Sequence, residues 1–214
     1  MADDRIYLFL RIAKRGYIDA FSRGELWMNP LSFFSQMEGD IARGDPHEGD
    51  GLWMQPTTDV LSVKIGETWV PISGLLGPIS WRRQLELRSN VFCLSALPVE
   101  AEVSFDSRNH QFGDTVAFLT DPHEFLRRVR QAATAHGFNL MYRGVEYVDP
   151  RVHSGEMGLF RKSSEFSHQR EFRIALSPGK GAPYTLLIGD ISDLVAVAPV
   201  EQLGTIIASI RRAG

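Results

Sequence analysis

Phe166-Ser167-His168-Gln169-Arg170-Glu171-Phe172-Arg173-Ile174-Ala175-Leu176 reads with a period of two from Gln169 onward. Phe172, Ile174 and Leu176 fall on one face, and Gln169, Glu171 and Arg173 on the other. Side chains two apart on a strand stand about 7 Å from each other, so one ligand could touch an amide, a carboxylate and a guanidinium in a row. The same residues also suit a half-exposed strand whose Glu171 and Arg173 pair with neighbours. Both readings make the segment a strand with one apolar face.

Outward from it, strand signals outnumber helix signals. Ile6 to Leu10 reads as an opening strand ending at Arg11, and residues 13 to 23 as a short helix closed by Gly24. Leu26-Trp27-Met28 is a second strand stopped by Asn29-Pro30. There Asn29 caps a helix with Pro30 in its first turn, and Leu31, Phe33, Phe34 and Met37 pack. Between Leu52 and Ile72 the alternation predicts a hairpin turning at Gly66-Glu67. Strands are expected over Val91–Leu97, Thr115–Leu119 and Asn139–Val148, with a loop over 150–165. Further strands follow at Tyr184–Asp190 and Leu194–Ala198, and a last helix at Val200–Arg211. The clearest helix begins at Asp121-Pro122, with Glu124 boxed back to the cap; its stripe is Phe125, Leu126, Val129, Ala132 and Ala133, and it ends at Gly137. Strands grouped as hairpins predict a single α+β domain over 1–214, largely antiparallel, with flanking helices.

Composition narrows the function classes. The chain has 214 residues, with 23 basic against 26 acidic side chains and a net charge of −3. A dedicated duplex-DNA binder usually carries a basic excess. The lone Cys93 lies in an apolar run and cannot form an internal disulfide, no leader-like segment opens the chain, and no apolar run approaches a membrane span. The expectation is a cytoplasmic protein with no membrane partner. No nucleophile elbow, Walker loop or Gly-x-Gly-x-x-Gly turn occurs.

Two constellations remain. The loop from Glu38 to Gly51 carries five acidic residues, of which Asp45, Glu48 and Asp50, with His47 nearby, are oxygen donors suited to a divalent cation. Their spacing matches neither a calcium loop nor a zinc signature, so no metal ligand is assigned. A divalent-metal phosphodiesterase stays a lesser alternative, as does a loop folded over a pocket that lends Asp45 or Glu48 to a polar network. The second constellation is the late strand with Arg161, Lys162, Ser163 and Ser164 before it, groups suited to phosphate. His168 is a candidate acid or base there. Arg127, Arg128 and Arg130 read as a solvated helix face.

An Arg closing an early strand, a second strand running into a small polar motif, and a late strand with Gln-x-Glu resemble the ADP-ribosyltransferase pattern. The resemblance implies an NAD-using transferase or NAD glycohydrolase: Arg11 would hold the phosphates of NAD, Asn29 and Ser32 would shape the nicotinamide pocket, and Gln169 with Glu171 would be the catalytic pair. Asn29-Pro30-Leu31-Ser32 stands where that superfamily usually has Ser-Thr-Ser. A late carboxylate suits the task because positive charge develops at the ribose carbon as nicotinamide leaves. Arg11 would then face the same cleft as Glu171, and a protein or nucleic acid would be the acceptor. Over most of its length the chain also resembles a bacterial and phage-borne family with no assigned chemistry. It shares a Gly-x-Leu-x-x-Asn-x-Leu-x-Phe-Phe start (Gly24 to Phe34), Arg-Gly-Asp-x-x-Glu-Gly (Arg43 to Gly49) and Gln-x-Glu-Phe-Arg (Gln169 to Arg173). The second functional expectation is therefore a non-catalytic domain that binds a nucleotide or a protein.

Overall fold

The computed structural model describes residues 7–36, 45, 47–56, 60–98 and 105–210. The chain opens with β1 (Tyr7–Ala13), α1 (Arg15–Ser22), β2 (Glu25–Pro30) and the short α2 (Leu31–Ser35). Small strands follow: β3 (Asp50–Met54), β4 (Ser62–Ile65), β5 (Thr68–Pro71) and β6 (Ile79–Arg82), then α3 (Gln84–Arg88). Next come β7 (Asn90–Pro98), β8 (Thr115–Leu119), α4 (Pro122–Ala135) and β9 (Asn139–Gly144). The last third holds β10 (Glu146–Val148), β11 (Gly155–Glu156), β12 (Arg161–Ser163), β13 (Glu171–Ser177), β14 (Tyr184–Leu187), β15 (Val195–Pro199) and α5 (Leu203–Ile210). Among the described strands only β10 and β12 pair in parallel. The architecture is one α+β domain, as the hairpin clustering predicts.

The long β7 organises the main sheet. One of its edges carries β13, with Arg173 opposite Cys93, and β13 carries β9 in turn. Its other edge is shared by β2 at its start (Asn29 opposite Val91) and β1 at its end (Leu10 opposite Ser95). From there β2 leads to β14, and β1 leads to β8 and β15.

Residues directly opposite in antiparallel strands point to the same face, and neighbours along a strand to opposite faces. Phe92, Leu94, Ile174 and Leu176 thus share one face, buried against Ile18 and Phe21 of α1 and Phe125, Val129 and Ala133 of α4. On the reverse face Leu10, Leu97, Val116 and Phe118 pack under Leu203 and Ile207 of α5. Beside them Val91 and Ala175 meet Leu31, Leu159 and Phe160.

Local signals place α4 well. The Asp121 carboxylate accepts from the Glu124 N–H at 2.9 Å, and Pro122 takes the first turn. The Glu124 carboxylate does not close the expected box; Arg127 and Arg128 take it instead, and Arg128 also reaches Asp193. The arginine row is a set of surface pairs.

Other expectations are corrected. Pro30, not Asn29, is the residue before α2, and Asn29 belongs to β2. The span 150–165 holds β11 and β12 where a loop is predicted. Ile6, Met37 and Arg211 lie outside the described residues.

Gly24 closes α1 with φ +79°, and a Cβ there would sit 1.8 Å from the Gly189 carbonyl oxygen. A side chain would have to adopt the left-handed region while displacing backbone. Gly24→Ala is expected to lower stability by about 1–3 kcal/mol, readable as a lower urea midpoint at unchanged m-value.

Candidate functional site

The predicted strand starts two residues later than its period suggests. Gln169 ends a 3-10 turn, Ser164–Gln169, and Arg170 follows in the left-handed region with φ 48°. Glu171 is the first residue of β13. Gln169 and Glu171 are nonetheless brought together, because both accept from one buried ammonium: Lys162 Nζ lies 2.9 Å from Gln169 Oε1 and 3.0 Å from Glu171 Oε1.

Arg173, read either as facing a ligand or as paired with neighbours, is 1 % exposed and paired. Its Nη2 donates to Glu171 Oε2 at 2.7 Å and to Glu48 Oε1, and its Nη1 donates to the Leu159 carbonyl at 2.6 Å. Glu48 Oε2 stands 3.4 Å from Lys162 Nζ. Two carboxylates and two cations thus alternate in a closed ring on the reverse face of the sheet, with Cys93 beside it: its Sγ is 3.7 Å from Glu171 Oε2.

The ring governs the charge state of its members. Burial alone would raise the Glu171 carboxyl, but Lys162 and Arg173 outweigh burial and hold it below the usual carboxylate range. Burial works against both cations as well, and the two carboxylates hold Lys162 and Arg173 protonated. Cys93 feels burial first and the Glu171 charge second, and its thiol is pushed up to about 12. It is no nucleophile at neutral pH.

Glu171 is the one carboxylate of the ring that also meets a cleft. β7 runs on through Pro98 beyond the start of β13, and a cleft of about 1030 Å³ opens along that margin. Tyr7, Phe9, Tyr147 and Phe172 are among its walls, and Arg108, His168 and Arg170 stand around them. The Phe9 and Phe172 rings meet edge to face at 4.8 Å. Tyr147 Oη accepts from the Glu171 N–H at 2.9 Å, leaving its own proton to donate. Arg108 is paired with Asp106, whereas no ion pair involves Arg170 among the described residues. His168 Nδ1 lies 3.2 Å from the Glu165 carbonyl, which can only accept. The proton is therefore on Nδ1, and burial and then Arg108 lower the pKa, keeping the ring neutral.

The residues expected around the cofactor do not converge on this cleft. Leu10, Ser95 and Glu171 form one row across the sheet, so Arg11, one residue on from Leu10, projects from the opposite face. Its guanidinium lies 4.2 Å over the Phe92 ring and donates to the Cys93 carbonyl at 2.9 Å. Arg11 is also in mid-strand rather than at a strand end. Asn29 Oδ1 accepts from Trp27 Nε1 on β2, and Ser32 sits in α2 with its carbonyl taken by Ser35 Oγ. None of the three lines the cleft.

Of the acidic loop, Glu38 and Asp40 lie outside the described residues, and Asp45, Glu48 and Asp50 are drawn into polar networks, as the reading that lends Asp45 or Glu48 to such a network expects. Asp45 accepts from the Ser163 and His47 N–H groups, Glu48 belongs to the ring, and Asp50 meets Arg82 and His47. Arg43 and Gly44 lie outside the described residues, and no group of three or more His, Cys, Asp or Glu among the described residues is placed to hold a metal. Of the suggested phosphate groups, Lys162 is in the ring and Arg161 is bonded to Glu146 and to the Glu156 carbonyl. Residues missed at the sequence level are Tyr147, Phe9 and Arg170. For Arg170 a signal did exist in its place next to Glu171, but not in its backbone conformation.

No helix among the described residues is long and apolar enough to cross a membrane. The chain matches no family model, no curated protein and no solved structure.

Proposed function

We propose that this chain is a binding domain for a small nucleotide, held in the cleft at the start of β13. The observation that carries the reading is the Arg170-Glu171 pair: a guanidinium without an ion-pair partner among the described residues, directly before a carboxylate held ionised. Arg170 also keeps a left-handed backbone that a non-glycine residue rarely adopts, and such strain gathers at functional positions. Arg170 meets a phosphate, Glu171 accepts from sugar hydroxyls while Tyr147 donates to a neighbouring oxygen, and the base reaches round the sheet margin to Phe9 and Phe172, which project from the opposite face. The lone, half-buried thiol goes with a cytoplasmic setting.

A second reading keeps the chemistry at Glu171. An ionised carboxylate at the edge of a cleft, with Gln169 tied to it through Lys162, suits an NAD-cleaving site that stabilises an oxocarbenium-like ribose and passes it to water or to a protein or nucleic-acid acceptor. The phosphates then fall to Arg170, since Arg11 does not line the cleft and its guanidinium is held over Phe92 and on the Cys93 carbonyl.

Calorimetry with AMP, ADP-ribose and NAD tests both readings. Binding is expected to weaken about tenfold or more, or about 1.4 kcal/mol, in Arg170→Asn. Asparagine tolerates the left-handed backbone and removes the guanidinium. Arg11→Ala is expected to leave binding unchanged. Release of nicotinamide from NAD by the wild-type chain would move the second reading to the front. No binding of any of the three at millimolar concentration would dispose of both.

A further inference from the structure

Between residues 60 and 86 no side chain is buried, although the segment holds two tryptophans and a string of aliphatic residues. Of fifteen large hydrophobic residues that are exposed among the described ones, nine lie between Val60 and Leu85. Leu76 is fully exposed, and Trp69 is 65 % exposed. The segment is an arm: among the described strands β4 and β5 pair only with each other, and β6 roots the arm by pairing with β3. A two-stranded hairpin alone is marginally stable in water, and among the described residues none covers an apolar face of this one.

We propose that two copies of this chain pair through the arm, face to face about a two-fold axis. Val63 and Val70 are opposite each other across the hairpin, and Ile65 is two residues on, so the three share one face. Area and charge both favour a second copy as the occupant. Summed over both faces and the root of the arm, the nine side chains expose on the order of 900 Å², against about 800 Å² that each partner of a stable complex contributes, so the Val63 face is the centre of the contact and the rest of the arm its remainder. From Val60 to Leu85 the charged residues are Lys64, Glu67, Arg82 and Arg83. Arg82 is spoken for by Asp50, and Arg83 by Glu156 and Glu86. Lys64 and Glu67 cancel. A neutral apolar face offers no excess charge to a phosphate backbone or an anionic lipid, and it does not repel its own copy.

Light scattering on the full chain over a concentration series tests this. The wild type is expected to approach twice 24.0 kDa. Val63→Glu with Val70→Glu is expected to stay at the monomer mass with an unchanged circular dichroism spectrum, since neither side chain is buried within one copy. Trp27→Ser, exposed elsewhere, should leave the pairing intact. Val63→Cys gives an independent measurement: mild oxidation should yield a cross-linked pair, with Cys93, half-buried and held as the thiol, silent. A wild type that stays monomeric up to about 100 μM, far weaker than interfaces of this size usually are, overturns the proposal. So does a double variant that still pairs, or a monomer that binds phosphatidylglycerol vesicles.

Discussion

Glu48→Gln is expected to destabilise the protein by about 3–5 kcal/mol, the range seen when one partner of a buried ion pair is removed. Glu48 is 1 % exposed, and Arg173 likewise. The substitution keeps the shape of the side chain and removes its charge, leaving Arg173 and Lys162 to share Glu171. Two buried cations against one carboxylate is the uncompensated state that low-dielectric surroundings penalise most. For a chain of this length the loss corresponds to a fall in melting temperature of about 6–20 °C, read by scanning calorimetry. Asp19→Asn, which breaks the exposed Arg15 pair, should not move it measurably. Adding Arg173→Met to Glu48→Gln should recover part of the loss, because the stranded charge goes with it. A Glu48→Gln melting curve that overlays the wild type would mean that water already reaches the ring.

This ring shows what the sequence could and could not disclose. Asp121-Pro122 and the α4 stripe were readable because every group involved lies within a few turns of helix. Glu48 and Arg173 are 125 residues apart, and no local pattern announces that they meet. The period-of-two reading of 169–176 was right from Glu171 onward. It failed at Gln169 because Arg170 turns left-handed there, a backbone choice that a run of ordinary side chains does not encode. The convergence of Gln169 on Glu171 comes from Lys162, so an expected pair arises by a route the pattern did not contain.

Arg11 fails for a different reason. Alternation along one strand tells which residues share a face of that strand. It does not tell which face of β1 matches which face of β13 once β7 lies between them. Only the registers, Leu10 with Ser95 and Ser95 with Glu171, settle that parity. They place Arg11 over Phe92, on the side that α1 and α4 cover.

Glu171→Gln carries the second large effect, and its dependence on pH separates charge from packing. Folding lowers the Glu171 pKa below its ordinary 4.5, through Lys162 and Arg173 acting against burial. A depressed carboxylate adds stability that is fully present above its unfolded value and is lost as pH falls through its folded value. At pH 7 the wild type should therefore exceed Glu171→Gln by about 3–5 kcal/mol, since one carboxylate is again left for two buried cations. Below pH 4.5 the difference should shrink, because a protonated Glu171 and a glutamine are close to the same neutral group. The two curves should meet only under conditions acid enough to protonate the folded ring. Urea denaturation at a series of pH values measures this directly. A gap that stays constant down to strong acid would assign the loss to packing and remove the charge argument. It would also weaken the case for Glu171 as an ionised ligand group in the cleft, since that reading depends on Lys162 and Arg173 keeping the carboxylate charged.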